Sequence, residues 1–159
     1  MADPPESKPS ARIDFDTSIG FLVTSLANKL NNGASRWLKQ RLGVGLMEWR
    51  AILLLAVEGE VFPGRIAQVA GVDKSVVSRA LASLEGRGLL RVTPDPQLGR
   101  QTRVALTEAG QALHDRGIEE TLARQGRLIE GFTSEERRIL IDLLKRMGVN
   151  HARRLGGEA

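Results

Sequence analysis

The chain contains no cysteine, which excludes disulfides, a catalytic thiol and any thiol-based redox sensor. Its two histidines, His114 and His151, lie far apart and supply too few ligands for an intrachain His-rich metal site. Neither a metal nor a cofactor is expected. No run approaches the ~18 consecutive apolar residues of a membrane helix, and the N-terminus lacks the apolar stretch of a secretory leader, so a cytoplasmic protein with no membrane partner is expected. A Gly-rich nucleotide loop is also missing, and 159 residues leave too little chain for a catalytic domain beside the elements read below. Enzymatic activity is therefore not expected. Proline is scarce and unevenly placed: three of the six fall within Met1–Ala11, among Asp, Glu, Ser and Lys. Nothing in that arm can bury a face.

What is present suffices for a core. A hydrophobic content of 42% over this length fits one globular domain or a compact two-lobed unit. The stretch from Pro63 to Thr107 organises it. A short helix carrying Ile66, Val69 and Ala70 runs into Gly71, which suits the positive-φ turn between two crossing helices. Asp73 is placed to cap the second helix. In that helix Val77, Leu81 and Leu84 recur at i, i+4 and i+7, with Val76 and Ala80 widening the stripe. The opposite face carries Lys74, Ser75, Ser78, Arg79 and Ala82. Two cations, two hydroxyls and a small residue are what a helix lying in a major groove needs: donors for phosphates and guanine edges, and no bulk to hold the helix off the bases.

Two strands are predicted next, over 89–93 and 101–106, joined by Pro94-Asp95-Pro96-Gln97-Leu98-Gly99-Arg100. That connection is too proline-rich for a ladder and too long for a two-residue turn, and reads as a wing. Arg100 near its tip can reach a minor groove or a phosphate, whereas Arg91 and Arg103 on the strands serve equally well as solvated edge charges. Charge supports the same reading. Gly64 to Arg103 holds seven Lys or Arg against three acids, a net of +4, and the whole chain is also +4 with 23 basic and 19 acidic residues. The entire excess sits on this segment, where phosphate neutralisation would use it.

Around it the chain is helical. From about Asp16 a helix with Ile19, Leu22, Val23, Leu26, Leu30, Ala34, Trp37, Leu38 and Leu42 in period continues to Gly43. Its length and wide stripe call for packing beyond its own lobe, and a second subunit is the economical partner. Gly45 to Glu58 forms the next helix, with Leu46, Trp49, Leu53, Ala56 and Val57 expected inward. Thr107 is placed to cap a further helix whose interior Gly110, Gly117 and Gly126 weaken. A last helix opens on the capping box Thr133-Ser134-Glu135-Glu136 and continues through Ile139, Leu140, Leu143, Leu144 and Met147.

The runs Met47–Ala56, Val72–Arg79, Asp95-Pro96 and Leu106-Thr107-Glu108-Ala109-Gly110, in this order and spacing, resemble the MarR family of bacterial transcription regulators over roughly Phe15 to Gly148. The family's wing usually reads Asp-Pro-x-Asp-Arg-Arg; here Leu98 and Gly99 replace its second Asp and first Arg. The resemblance implies a mainly α fold with a small β wing. Its parts are an arm at 1–14, a dimerisation helix at 15–44, a winged helix-turn-helix DNA-binding domain at 45–107, connector and dimerisation helices at 108–150, and a frayed tail at 151–159. It further implies a homodimer on a pseudo-palindromic operator in double-stranded DNA, more often a repressor, released by a small-molecule effector. Lys74, Ser75, Ser78, Arg79 and Arg100 are the expected DNA contacts. Asn28, Asn32, Arg36, Trp37 and Arg50, on the helices that line the family's pocket, are the expected effector contacts, suited by residue type to an aromatic acid or its thioester. Two other readings stand beside this one: a ligand-independent architectural DNA-binding protein, and an enzyme borrowing a winged-helix lobe.

Overall fold

The computed structural model describes residues 12–95, 97 and 101–155. The elements run α1 Ile19–Arg41, α2 Leu46–Glu58, α3 Pro63–Ala70, α4 Lys74–Gly86, β1 Leu90–Pro94, β2 Thr102–Leu106, α5 Glu108–Leu128 and α6 Ser134–Leu155. This is the mainly helical chain with a small antiparallel wing expected from sequence. Two compact units divide at His114 and Asp115.

The first unit is built on α2. Trp49, Ala51, Ile52 and Leu55 of this helix are buried with Ile66 and Ala67 of α3, Val77, Leu81 and Leu84 of α4, and Leu90 and Val104 of the strands. The inward face differs from the expected one. Val57 is 83% exposed, while Ala51, Ile52 and Leu55 take the core. The sequence Leu46–Val57 is apolar around most of the helix circumference, so periodicity selects no single face, and packing against α4 does. From α1 only Leu38 is fully buried, with Ala34 and Trp37 packed against the core. Ile19, Phe21, Leu22, Val23, Leu26 and Leu30 leave a bare apolar face toward the start of the helix.

Local signals at helix ends are mostly realised. Pro63 occupies the first turn of α3, where its missing N–H costs nothing, and Gly71 adopts φ +64 at the helix end, a left-handed conformation that a side chain would strain. Asp73 sits at the N-cap of α4, but its carbonyl alone starts the helix and its side chain makes no capping bond. Thr107 does cap α5, its hydroxyl accepting the Gly110 N–H at 3.1 Å. That hydroxyl also donates to the Gly88 carbonyl at 2.7 Å, and the Thr107 N–H donates to the Leu89 carbonyl at 3.2 Å, fastening the start of α5 to the start of β1.

Strand pairing runs from Leu90 opposite Leu106 to Pro94 opposite Thr102. Val61, before α3, adds a bridge to Val104 through two backbone bonds of 3.1 and 2.9 Å. In the second unit the Thr133–Glu136 box opens α6 as predicted. This helix continues past Asn150 to Leu155, beyond the expected end, because His151 to Leu155 contain no Gly or Pro to stop it. Its Ile139, Leu140, Ile141, Leu143, Leu144, Met147 and Val149 are all exposed. No helix among the described residues is long and apolar enough to cross a membrane.

Candidate nucleic-acid interface

The recognition-type helix is α4. Val77, Ala80, Leu81 and Leu84 anchor one side of it in the core, and the 3.6-residue period then turns Lys74, Ser75, Ser78, Arg79 and Ala82 outward. All five of these outward residues are exposed. Four of the five expected DNA contacts thus share one solvent face of one helix. Arg100, with Leu98 and Gly99, lies outside the described residues.

The basic excess of this lobe divides by occupation. Arg65 of α3 is held bidentate by Glu58, with Nη2–Oε1 at 2.8 Å and Nε–Oε2 at 2.9 Å. That pairing depresses the Glu58 carboxyl below its ordinary range and raises the Arg65 guanidinium. Arg87, at the end of α4, donates to the Gly43 carbonyl at 3.2 Å and lies 3.7 Å from the Glu48 carboxylate. On the wing, Arg91 donates to the Leu106 carbonyl at 3.2 Å, and Arg103 pairs with Asp95 at 2.5 Å. Lys74 and Arg79 have no ion-pair partner among the described residues. Among the described residues from Gly64 to Arg103, the cations with neither an ion pair nor a hydrogen bond are Lys74 and Arg79, both on the outward face of α4, where phosphates and base edges would meet them.

The root of the wing is braced by Arg103, a strand residue for which a solvated edge charge was an equal expectation. Asp95 is 4% exposed, accepts the Gln97 N–H at 2.9 Å and is neutralised by Arg103. The Arg103 guanidinium lies 4.3 Å above the Phe62 ring, at the start of α3. Thr93 donates to Glu60 at 3.2 Å in the same loop. These contacts tie the two-stranded sheet to the loop that launches the helix-turn-helix.

Of the expected effector residues, Arg50 lines a cavity. The cavity measures about 460 Å³, and its other walls are Leu53, Leu54, Val57, Ile66, Val69 and Ala70. The Arg50 guanidinium is aimed by Asn31, whose amide oxygen accepts at 2.8 Å. Asn31 stands in an amide-rich stretch of α1 with Asn28 and Asn32; both of those, with Arg36, are exposed along α1, and Trp37 packs on the core.

Comparison with known proteins gives the same answer. A family model described as MarR family matches residues 42–101. An HTH-type transcriptional regulator of Mycobacterium tuberculosis is 31% identical over 103 residues, which are 65% of this chain and 67% of that protein. The chain spans about two thirds of the length of several such curated relatives. A MarR/EmrR family transcriptional regulator from Acinetobacter superposes with a TM-score of 0.83 at 30% identity, covering 89% of this chain and 99% of that one. The PcaV regulator of Streptomyces coelicolor, solved with its natural ligand, shares the fold at a TM-score of 0.69 and 22% identity, over 87% of this chain and 96% of that one. These relatives are transcriptional regulators and not enzymes. An outward basic helix, a braced wing and sequence kinship agree, and the chain belongs to the MarR family of DNA-binding transcriptional regulators.

Proposed function

We propose that the chain acts in the cytoplasm as a homodimeric, sequence-specific repressor whose grip on its operator is released by a small molecule. The carrying observation is the outward face of α4, where the unpaired cations Lys74 and Arg79 stand beside the hydroxyls of Ser75 and Ser78. These four side chains contact bases and phosphates in the major groove, and Arg100 reaches the backbone or minor groove from the wing. The division into an arm at 1–14, dimerisation helices at 15–44 and from 108 to the end of α6, and a DNA-binding domain at 45–107 belongs to the same reading. Support for the dimer comes from the exposed leucines of α1 and of α6, each too apolar to face water. Two copies of α4 related by a two-fold axis then meet successive major grooves, roughly 34–36 Å apart, on a pseudo-palindromic site.

The effector is an aromatic acid or its thioester, held by Arg50 against the aliphatic walls between α2 and α3, with Asn28, Asn32, Arg36 and Trp37 as further contacts from α1. One cation in an otherwise hydrocarbon cavity favours such a ligand. Binding shifts the population toward a spacing of recognition helices that no longer fits the grooves, with a coupling of ~1–3 kcal/mol. Replacing Arg79 with Ala tests the DNA reading. A guanine contact makes the loss ~1–3 kcal/mol and relaxes one operator position, whereas a phosphate contact weakens all sequences alike and lowers the salt slope. Unchanged binding removes Arg79 from the interface.

A further inference from the structure

Glu48, in the first turn of α2, gathers three donors although it lies off the outward face of α4. Its Oε2 accepts the Gly45 N–H at 2.5 Å, and its Oε1 accepts the Ser83 hydroxyl at 2.5 Å. The Arg87 guanidinium stands 3.7 Å from Oε2 and also donates to the Gly43 carbonyl at 3.2 Å. The side chain of Glu48 is 14% exposed, so these partners replace most of its hydration, and both oxygens are fixed. One carboxylate thereby joins the corner between α1 and α2 to the C-terminal end of α4.

Resting on the reading that α4 reads base edges, we propose that Glu48 is a positioning residue for sequence recognition, setting the pitch of α4 in the groove. The thirteen residues of α4 span about 20 Å, so a tilt of only about 5° at the Glu48 end displaces the far end by ~1.5 Å. Lys74, Ser75 and Ser78 lie toward that far end. Base-edge hydrogen bonds tolerate a few tenths of an ångström and are lost by such a shift, while long cationic side chains still follow phosphates.

The test uses the full chain with Glu48→Gln and, separately, Ser83→Ala. Each is titrated with the intergenic duplex beside its own gene and with a random-sequence duplex of equal length. Charge alone makes Glu48→Gln bind all DNA more tightly, because a negative group is removed. Positioning predicts the opposite on the intergenic duplex: affinity falls about five- to thirtyfold for both variants, the random duplex changes by less than about twofold, and the double variant loses no more than the worse single one. Parallel loss on both duplexes together with a lower melting temperature would mean a merely structural residue and overturn the proposal, as would unchanged discrimination. If the unaltered protein itself fails to prefer the intergenic duplex, the reading of α4 fails separately. Amide exchange in the free protein then decides the clamp: it must accelerate in the last turn of α4 and stay constant in α3, and no acceleration overturns it.

Discussion

Gly110 offers the sharpest test of the packing, because a helix interior ordinarily gains from replacing glycine with alanine by ~0.5–1 kcal/mol. Here the sign should reverse. A Cβ built on Gly110 would lie 1.9 Å from the Leu89 carbonyl oxygen and 3.1 Å from Leu106 Cδ2. Restoring van der Waals contact requires the first turn of α5 to move about 1.5 Å from the backbone of Leu89. That movement stretches the bond from the Thr107 N–H to the Leu89 carbonyl, now 3.2 Å, and the bond from the Thr107 hydroxyl to Gly88, now 2.7 Å. Overpacking costs ~1–3 kcal/mol and each strained bond about 1 kcal/mol, against less than ~1 kcal/mol gained in helix propensity. The expected result for Gly110→Ala is a net loss of ~2–4 kcal/mol, or roughly 5–15 °C in melting temperature for a chain of this size. Thermal unfolding followed by circular dichroism, at one fixed protein concentration because any dimer links stability to concentration, measures it. Gly126, which has nothing within 4 Å of its built Cβ, is the control: Gly126→Ala should be neutral or slightly stabilising. A Gly110→Ala protein as stable as the parent would refute the close approach of α5 to Leu89.

Other perturbations follow from the wing and from α6. Replacing Arg103 with Ala removes its ion pair with the buried Asp95 carboxylate and its contact with the Phe62 ring, so unfolding should become easier by ~1–3 kcal/mol, and denaturant titration of the variant will check it. The double change with Asp95→Asn should recover part of that loss, since the buried negative charge that Arg103 balances is removed with it. At α6, the Thr133 N–H and hydroxyl both donate to the Glu136 carboxylate and hold its pKa below the ordinary value. The folded form therefore binds that proton more weakly than the unfolded one; its stabilisation is present above the ordinary carboxylate pKa and fades as pH falls through the depressed value. Glu136→Gln should flatten this part of an acid titration of helicity while leaving the neutral-to-alkaline range unaltered in shape.

How far the sequence reached can be judged at particular residues. The face of α4 was legible because Val77, Leu81 and Leu84 are apolar on one side and the opposite side carries no large apolar residue. Thr107 and Thr133 were legible because capping is a local event within one turn. The inward face of α2 was not, since a helix apolar on most sides carries no direction. Nor was the pairing of Asp95 with Arg103: the familiar wing pattern drew attention to Arg100, which lies outside the described residues, and Arg103 reaches Asp95 from the following strand. Glu48, Ser83 and Arg87 meet only in three dimensions, and each alone is an ordinary polar surface residue. Gly110 was read as a weakness of α5, because a propensity scale registers the missing side chain but not the carbonyl that occupies its place.

The most direct measurement is binding of the purified protein to the intergenic DNA beside its own gene, by gel shift at two salt concentrations with excess non-specific competitor. A regulator reading DNA through α4 should give a tight, competitor-resistant complex with two chains per site, weakened at higher salt and weakened again by Arg79→Ala. Binding that competitor abolishes at both salt concentrations, and that Arg79→Ala leaves untouched, would contradict sequence-specific recognition by this helix.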